Sequence, residues 1–184
     1  MIKNKLDIRK LILILYITFM LWVIVLKCNA DWVVEVAIYN LEQPIETRIF
    51  PNIIPFYHLI KFFKSGEWFE IDYFLNVIIY IPFAFYLSYL LKKENKNKII
   101  ILISLISSIV FELFQLFSGV GGLDSTDTIC NVSGAIFGIL LFKFMNQYFS
   151  KKFLDYFDIG CLVILIPTFI FTSISTIIFF ANLM

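Results

Sequence analysis

Carboxylate and amide side chains lie within or beside apolar stretches in the second half of the chain. Glu112 and Gln115 come near the end of one apolar run, and Asp124, Asp127 and Asn131 lead into the next. A charged side chain in a bilayer is costly unless it faces a protein interior or a wet cavity, so Glu112 is a candidate functional residue. Such carboxylates can bind a polar ligand. Glu112 and Asp127 could also act together as a general acid and base.

The composition predicts that these side chains belong to an integral membrane protein. Hydrophobic residues make up 60% of the chain and charged residues 16%. Soluble domains contain about 45–50% apolar and about 25% charged residues. The formal net charge is only +1 and the basic residues form no nucleic-acid-binding face, so we expect no nucleic-acid partner.

Five apolar stretches are candidates for helices that cross a hydrocarbon layer about 30 Å thick. They cover about residues 9–27, 73–91, 99–117, 128–146 and 159–183. Helices are expected because an open sheet cannot satisfy its backbone polar groups in lipid. The predicted fold class is therefore all-α, a polytopic transmembrane helical bundle that forms a single membrane domain over residues 1–184. The fifth stretch contains no acid or base and could be only a packing helix.

The distribution of basic residues predicts the orientation of the bundle. Lysine and arginine concentrate on the cytoplasmic side of membrane proteins. Here they cluster before the first span and between the second and third, at Lys3, Lys5, Arg9, Lys10, Lys92, Lys93, Lys96 and Lys98. Residues 28–72 instead contain seven acidic and three basic residues. We therefore expect the amino terminus inside the cell and the carboxyl terminus outside.

In that orientation, polar residues from three helices share a layer near the outer surface. Glu112 lies about 9 Å below Ser118 at the rise of an α-helix. The layer contains Asn76, Glu112, Gln115, Asp127 and Asn131. Residues three or four positions apart share a helix face, which places Glu112 with Gln115 and Asp127 with Asn131. Gly134 and Gly138 continue the second face and form a small-xxx-small pattern, so this face should pack against another helix.

Four motifs follow one another between about residues 45 and 145. They are Asn52-Ile-Ile-Pro55-Phe56, Asn76 with Pro82-Phe83, Glu112-Leu-Phe-Gln115, and Asp124-x-x-Asp127-x-x-x-Asn131-x-x-Gly134-x-x-x-Gly138. Their order and spacing resemble the successive signatures of the VanZ-like membrane proteins. The resemblance implies a multi-pass protein of the bacterial cytoplasmic membrane that is associated with low-level resistance to teicoplanin.

The resemblance also implies a set of ligand-binding residues. We predict that this set is Arg48, Asn52, Asn76, Glu112, Gln115, Asp124, Asp127 and Asn131. Members of the family often carry a basic residue between the Glu-x-x-Gln pair and the aspartates. Residues 118–123 contain none. If that cation binds an anionic ligand in the family, this chain must use Arg48 or do without.

Three functions are compatible with these residues. The favoured one is binding of an amphipathic ligand at the outer leaflet, such as a lipid-linked wall precursor or a lipoglycopeptide, among the membrane lipids. The second is an intramembrane enzyme acting on a lipid-linked substrate, with Glu112 and Asp127 as the catalytic acid and base. The third is a membrane scaffold or a transporter of small solutes.

The site residues also have structural interpretations. Asp127 could cap the fourth helix, and Asn76, Gln115 and Asn131 could join neighbouring helices through hydrogen bonds. We expect no cofactor and no metal site, since the chain has a single histidine. A hard cation held by the oxygen atoms of Glu112, Asp124, Asp127 and Asn131 would nevertheless favour the enzyme hypothesis.

Overall fold

The computed structural model describes three long parts of the chain, residues 2–26, 72–118 and 124–183, and short segments at 35–36, 38–40, 42–43, 54–57 and 63–64. The long parts form helices α1 (Ile2–Leu26), α2 (Asp72–Leu90), α3 (Lys96–Ser118), α4 (Ser125–Tyr148) and α5 (Lys151–Leu183). The all-α prediction is confirmed. The fifth helix begins at Lys151, well before the stretch predicted from hydropathy.

Four helices, α2 to α5, are long and apolar enough to cross a membrane. Helix α1 covers residues 9–26 of the first predicted span, residues 9–27, and begins before it at Ile2. The count of five spans and the orientation of the bundle stay predictions. The connections between α2, α3, α4 and α5 are short in the sequence. Successive helices of this part therefore run in opposite directions, and α2 and α4 run parallel.

Helices α2 and α4 pack closely through the two glycines of α4. A Cβ atom at Gly134 would lie closer than 3.0 Å to the carbonyl oxygen of Val77. A Cβ atom at Gly138 would also lie closer than 3.0 Å to the carbonyl oxygen of Ile81. Only glycine therefore permits this distance between the two backbones. The prediction that the small-xxx-small face packs against another helix is confirmed.

Hydrogen bonds join the other helices to this central pair. The Tyr16 hydroxyl of α1 donates to the Ile79 carbonyl of α2 at 2.8 Å. The Tyr80 hydroxyl of α2 lies 3.1 Å from Ser107 Oγ of α3. Tyr80 is fully buried, so its hydroxyl needs a polar partner inside the bundle.

The amino-terminal ends of α1 and α5 meet at one end of the bundle, which we call the basic end. Arg9 Nε donates to Asp158 Oδ2 at 2.7 Å, and Lys5 pairs with Asp155. The Tyr86 hydroxyl of α2 also donates to Asp158, at 3.3 Å. The fifth predicted stretch, residues 159–183, contains no acid, so these contacts were not predicted from the sequence. The helix in the structure starts earlier, at Lys151, and therefore includes Asp155 and Asp158.

Candidate functional site

A cavity of about 220 Å³ lies between α1, α2, α3 and α4, at the end of the bundle opposite the basic end. Five polar side chains and five apolar ones line it, namely Asn76, Glu112, Gln115, Asp127 and Asn131, and Val23, Ile24, Leu75, Ile79 and Phe111. The polar five are the residues that the sequence placed in one layer. We call this space the outer cavity, after its predicted position in the outer half of the membrane.

Glu112 reaches the outer cavity from a buried face of α3. The buried residues of this helix recur every four positions, at Ile100, Ser104, Ser108 and Glu112, which is the spacing of one helix face. Glu112 is only 5% exposed. Its Oε2 accepts a hydrogen bond at 2.8 Å from the backbone N–H of Asp124. The carboxylate thus contacts both the cavity and the connection to the next helix.

Asp124 is the amino-terminal cap of α4. Its Oδ1 accepts from the backbone N–H of Thr126 at 2.7 Å, and its own backbone is extended. This is the usual arrangement of an acidic cap, which satisfies one of the free N–H groups of the first turn. The capping role considered for Asp127 therefore belongs to Asp124. Asp127 lies within the first turn, lines the outer cavity, and adds a negative charge where the helix dipole favours it.

The side-chain amide of Asn131 forms a hydrogen bond through its nitrogen but not through its oxygen. Its Nδ2 donates to Ser108 Oγ at 2.8 Å, and Ser108 in turn donates to Thr128 Oγ1 at 3.4 Å. Its Oδ1 is buried and has no hydrogen-bond partner among the described residues. Because Asn131 is 4% exposed and lines the outer cavity, this oxygen needs a donor that the cavity would supply.

Gln115 joins α3 to the end of α1. Its Nε2 donates to the carbonyl oxygen of Ile24 at 3.1 Å. Ile24 is in the last turn of α1, where carbonyl groups have no partner within the helix. This contact is the interhelical hydrogen bond considered as the structural interpretation of Gln115, although the same side chain also lines the outer cavity.

Several residues around the cavity were not predicted from the sequence. Val23 and Ile24 bring α1 into its wall, and Ser108 and Thr128 hold Asn131 in place. The four-residue spacing of Ser104, Ser108 and Glu112 was the available signal for the serine. Arg48 and Asn52 of the predicted set lie outside the described residues.

Among the described residues, the carboxyl groups around the cavity are not grouped as a three-residue metal site. The parts of the chain that the structure describes contain no group of three or more His, Cys, Asp or Glu side chains placed to hold a metal ion. Glu112, Asp124 and Asp127 therefore do not provide the oxygen cage considered for a hard cation. Asp124 instead uses a carboxylate oxygen as a helix cap.

Fold and site together define a helical membrane protein with a cavity that polar and apolar residues of four helices line near one end of the bundle. The model of the VanZ/LLP1 family matches residues 13–146, and the chain belongs to this family. The prediction from the motifs is confirmed, and the match extends further, through most of α1. Neither the curated proteins nor the solved structures give a match to the chain.

Proposed function

We propose that the protein binds the polar part of an amphipathic molecule in the outer cavity, at the outer leaflet of the bacterial cytoplasmic membrane. The ligand is a lipid-linked wall precursor or a lipoglycopeptide, and binding it contributes to low-level teicoplanin resistance. The observation that carries the proposal is the convergence of Asn76, Glu112, Asp127 and Asn131 on one cavity. Membership of the VanZ/LLP1 family supports the link to resistance.

The walls of the outer cavity suit an amphipathic ligand. Its polar groups come from α2, α3 and α4, whereas α1 contributes the aliphatic residues Val23 and Ile24. Leu75 also lines the cavity and is 53% exposed on the apolar outside of the bundle. A ligand could therefore place its polar group among the carboxylates and lay its chain along Leu75 in the lipid.

The outer cavity is a space of about 220 Å³. In this proposal it receives a polar part of the ligand, and the remainder of the ligand lies outside the bundle.

An intramembrane enzyme is the second candidate, and one observation favours it. Glu112 and Asp127 line the same cavity, so a bound substrate could contact both carboxyl groups. General acid and base catalysis requires such simultaneous contact. An enzyme needs the proton of Glu112, whereas a binding protein needs only its hydrogen bonds and charge.

The test compares teicoplanin and vancomycin susceptibility in a deletion strain that expresses wild type or one variant at matched membrane abundance. The variants are Glu112→Gln, Asp127→Asn and, as a control, Glu94→Gln in the exposed connection between α2 and α3. We expect the two cavity variants to lower teicoplanin protection and the control to retain it, with vancomycin susceptibility unchanged. Equal protection by all three variants, or none by wild type, would contradict the proposal.

A further inference from the structure

We propose that the turn between α4 and α5 binds the head groups of anionic phospholipids. The binding surface combines four aromatic side chains with two lysines at the start of α5, and lies at the basic end of the bundle. We call it the α4–α5 corner and define it by Phe144, Tyr148, Phe149, Lys151, Lys152 and Phe153. It lies at the opposite end from the outer cavity, so the proposal is independent of the proposed function.

The four aromatic rings of the corner form one continuous cluster on the outside of the bundle. Phe144 lies between Tyr148 and Phe149, with ring centroids 4.9 and 6.1 Å away. Phe149 in turn stacks on Phe153 at 4.5 Å. All four side chains are exposed. Tyrosine is enriched at membrane–water interfaces, and exposed phenylalanine can enter the boundary between head groups and acyl chains. The cluster therefore suits contact with the interfacial part of a phospholipid.

Lys151 and Lys152 add positive charge beside these rings in the sequence. Both are exposed, and neither forms an ion pair within the parts of the chain that the structure describes. The nearest acid in the sequence, Asp155, is already paired with Lys5 of α1. An anion from outside the protein can therefore pair with the two lysines without displacing a carboxylate.

The stability of α5 does not explain these two lysines. They lie in its first turn, which contains no acid, and positive charge is unfavourable there because the amino-terminal end of a helix dipole is itself positive. The cap is supplied by Ser150, whose Oγ accepts from the backbone N–H of Phe153 at 3.2 Å. Lys151 and Lys152 thus contribute nothing to the start of their own helix.

The combination of rings and charge favours a phospholipid over a soluble anion. Lysines next to a membrane-spanning helix attract anionic lipids, and the exposed rings gain from contact with the apolar part of the same molecule. The connection between α2 and α3, residues 91–95, lies at the same end and carries Lys92 and Lys93. It also contains Glu94 and has no aromatic residue. This connection therefore provides a control with the same charge but without the rings.

The experiment measures the Tm of the full-length protein in phosphatidylcholine nanodiscs with increasing mole fractions of phosphatidylglycerol. The acyl chains are kept the same, so that only the head group changes. We expect the Tm to rise with phosphatidylglycerol, since a ligand that binds the native state stabilises it. Inorganic phosphate, added to nanodiscs of phosphatidylcholine alone at constant ionic strength, tests a soluble anion. It should leave the Tm unchanged.

Variants establish that the rise comes from the α4–α5 corner. Lys151→Gln combined with Lys152→Gln should lower the apparent affinity for phosphatidylglycerol about tenfold or more. Lys92→Gln combined with Lys93→Gln is the matched control, because it changes the net charge equally at the same end of the bundle. It should retain most of the rise. Phe153→Leu removes one ring of the stacked pair without changing the charge, and should weaken the rise less than the corner double variant.

Four results would overturn the proposal. The first is a Tm that does not depend on phosphatidylglycerol. The second is an undiminished rise in the corner double variant or in Phe153→Leu. The third is an equal loss in the two double lysine variants, which would assign the effect to net charge. The fourth is an equal rise with inorganic phosphate, which would assign it to any anion. None of these results affects the outer cavity, whose test is cellular protection.

Discussion

Glu112 of α3 accepts a hydrogen bond from the backbone N–H of Asp124, the residue that caps α4. The carboxyl group that the sequence marks as costly in a bilayer thus also accepts a hydrogen bond from the cap of α4. Replacement of Glu112 therefore changes both the outer cavity and the geometry of the cap. Variants that separate these two effects are needed to interpret any functional loss.

Glu112→Leu should destabilise the protein by about 1–3 kcal/mol, because the Asp124 N–H loses its acceptor in a part-buried position. Glu112→Gln should cost less, since its amide oxygen can still accept this hydrogen bond. Unfolding by titration with sodium dodecyl sulfate in mixed micelles measures both free energies. A loss in Glu112→Gln as large as that in Glu112→Leu would argue against this hydrogen bond as the cause.

Asp124→Ala should destabilise α4 by about 1 kcal/mol through loss of the cap. Asp124→Asn is the informative partner, because an asparagine oxygen can accept from the Thr126 N–H and caps helices well. We expect near wild-type unfolding for Asp124→Asn and a clear loss for Asp124→Ala in the same micelle titration. A reversed order of the two variants would argue against capping as the role of this side chain.

Gly134→Ala and Gly138→Ala should each destabilise the bundle by about 1–3 kcal/mol, the usual cost of overpacking. Their added Cβ atoms would meet backbone carbonyl oxygens of α2, which cannot rotate away. Gly160→Ala in α5 is the control, because a Cβ there meets nothing within 4 Å. It should be neutral or stabilising by up to about 1 kcal/mol. Unfolding free energies and membrane abundance of the three variants test this difference.

Asp158→Ala should be among the most destabilising substitutions outside the outer cavity. Asp158 is 5% exposed and paired with Arg9, and removal of one partner of a buried ion pair costs about 3–5 kcal/mol. The pair Lys10 and Asp7 is exposed, so Lys10→Ala should change stability by less than about 1 kcal/mol.

A double variant tests whether the cost at Asp158 arises from an unpaired charge. Arg9→Met combined with Asp158→Leu removes both charges, and should be more stable than Asp158→Ala alone. Thermal unfolding in nanodiscs ranks the variants. If the double variant were the least stable of the set, the pair itself would be the source of stability.

The layer of polar residues at the outer cavity could be predicted because two regular features determine it. The helical rise converts positions into depths, and alternation of direction brings the starts of α2 and α4 beside the end of α3. Asn76, Glu112 and Asp127 therefore fall together without knowledge of side-chain contacts. The glycines of α4 also indicated its packed face, which the contacts with α2 confirm.

Other features of the bundle required the structure. Arg9 and Asp158 are separated by most of the chain, and hydropathy gives no information on pairing across that distance. Asp124 and Asp127 lie three residues apart at the same helix start, and either could have been the cap. Only the position of the first helical residue, Ser125, distinguishes them. For Arg48 and Asn52, the predicted binding roles stay predictions.

The contact between Arg9 and Asp158 imposes an order on assembly. Both residues lie outside the family match at residues 13–146, and α5 is synthesised after the other four helices. Until α5 enters the membrane, Arg9 has no Asp158 with which to pair. The ion pair between α1 and α5 can therefore form only after α5 has been made. A ribosome-bound chain that stops after α4 would retain an incompletely neutralised basic end.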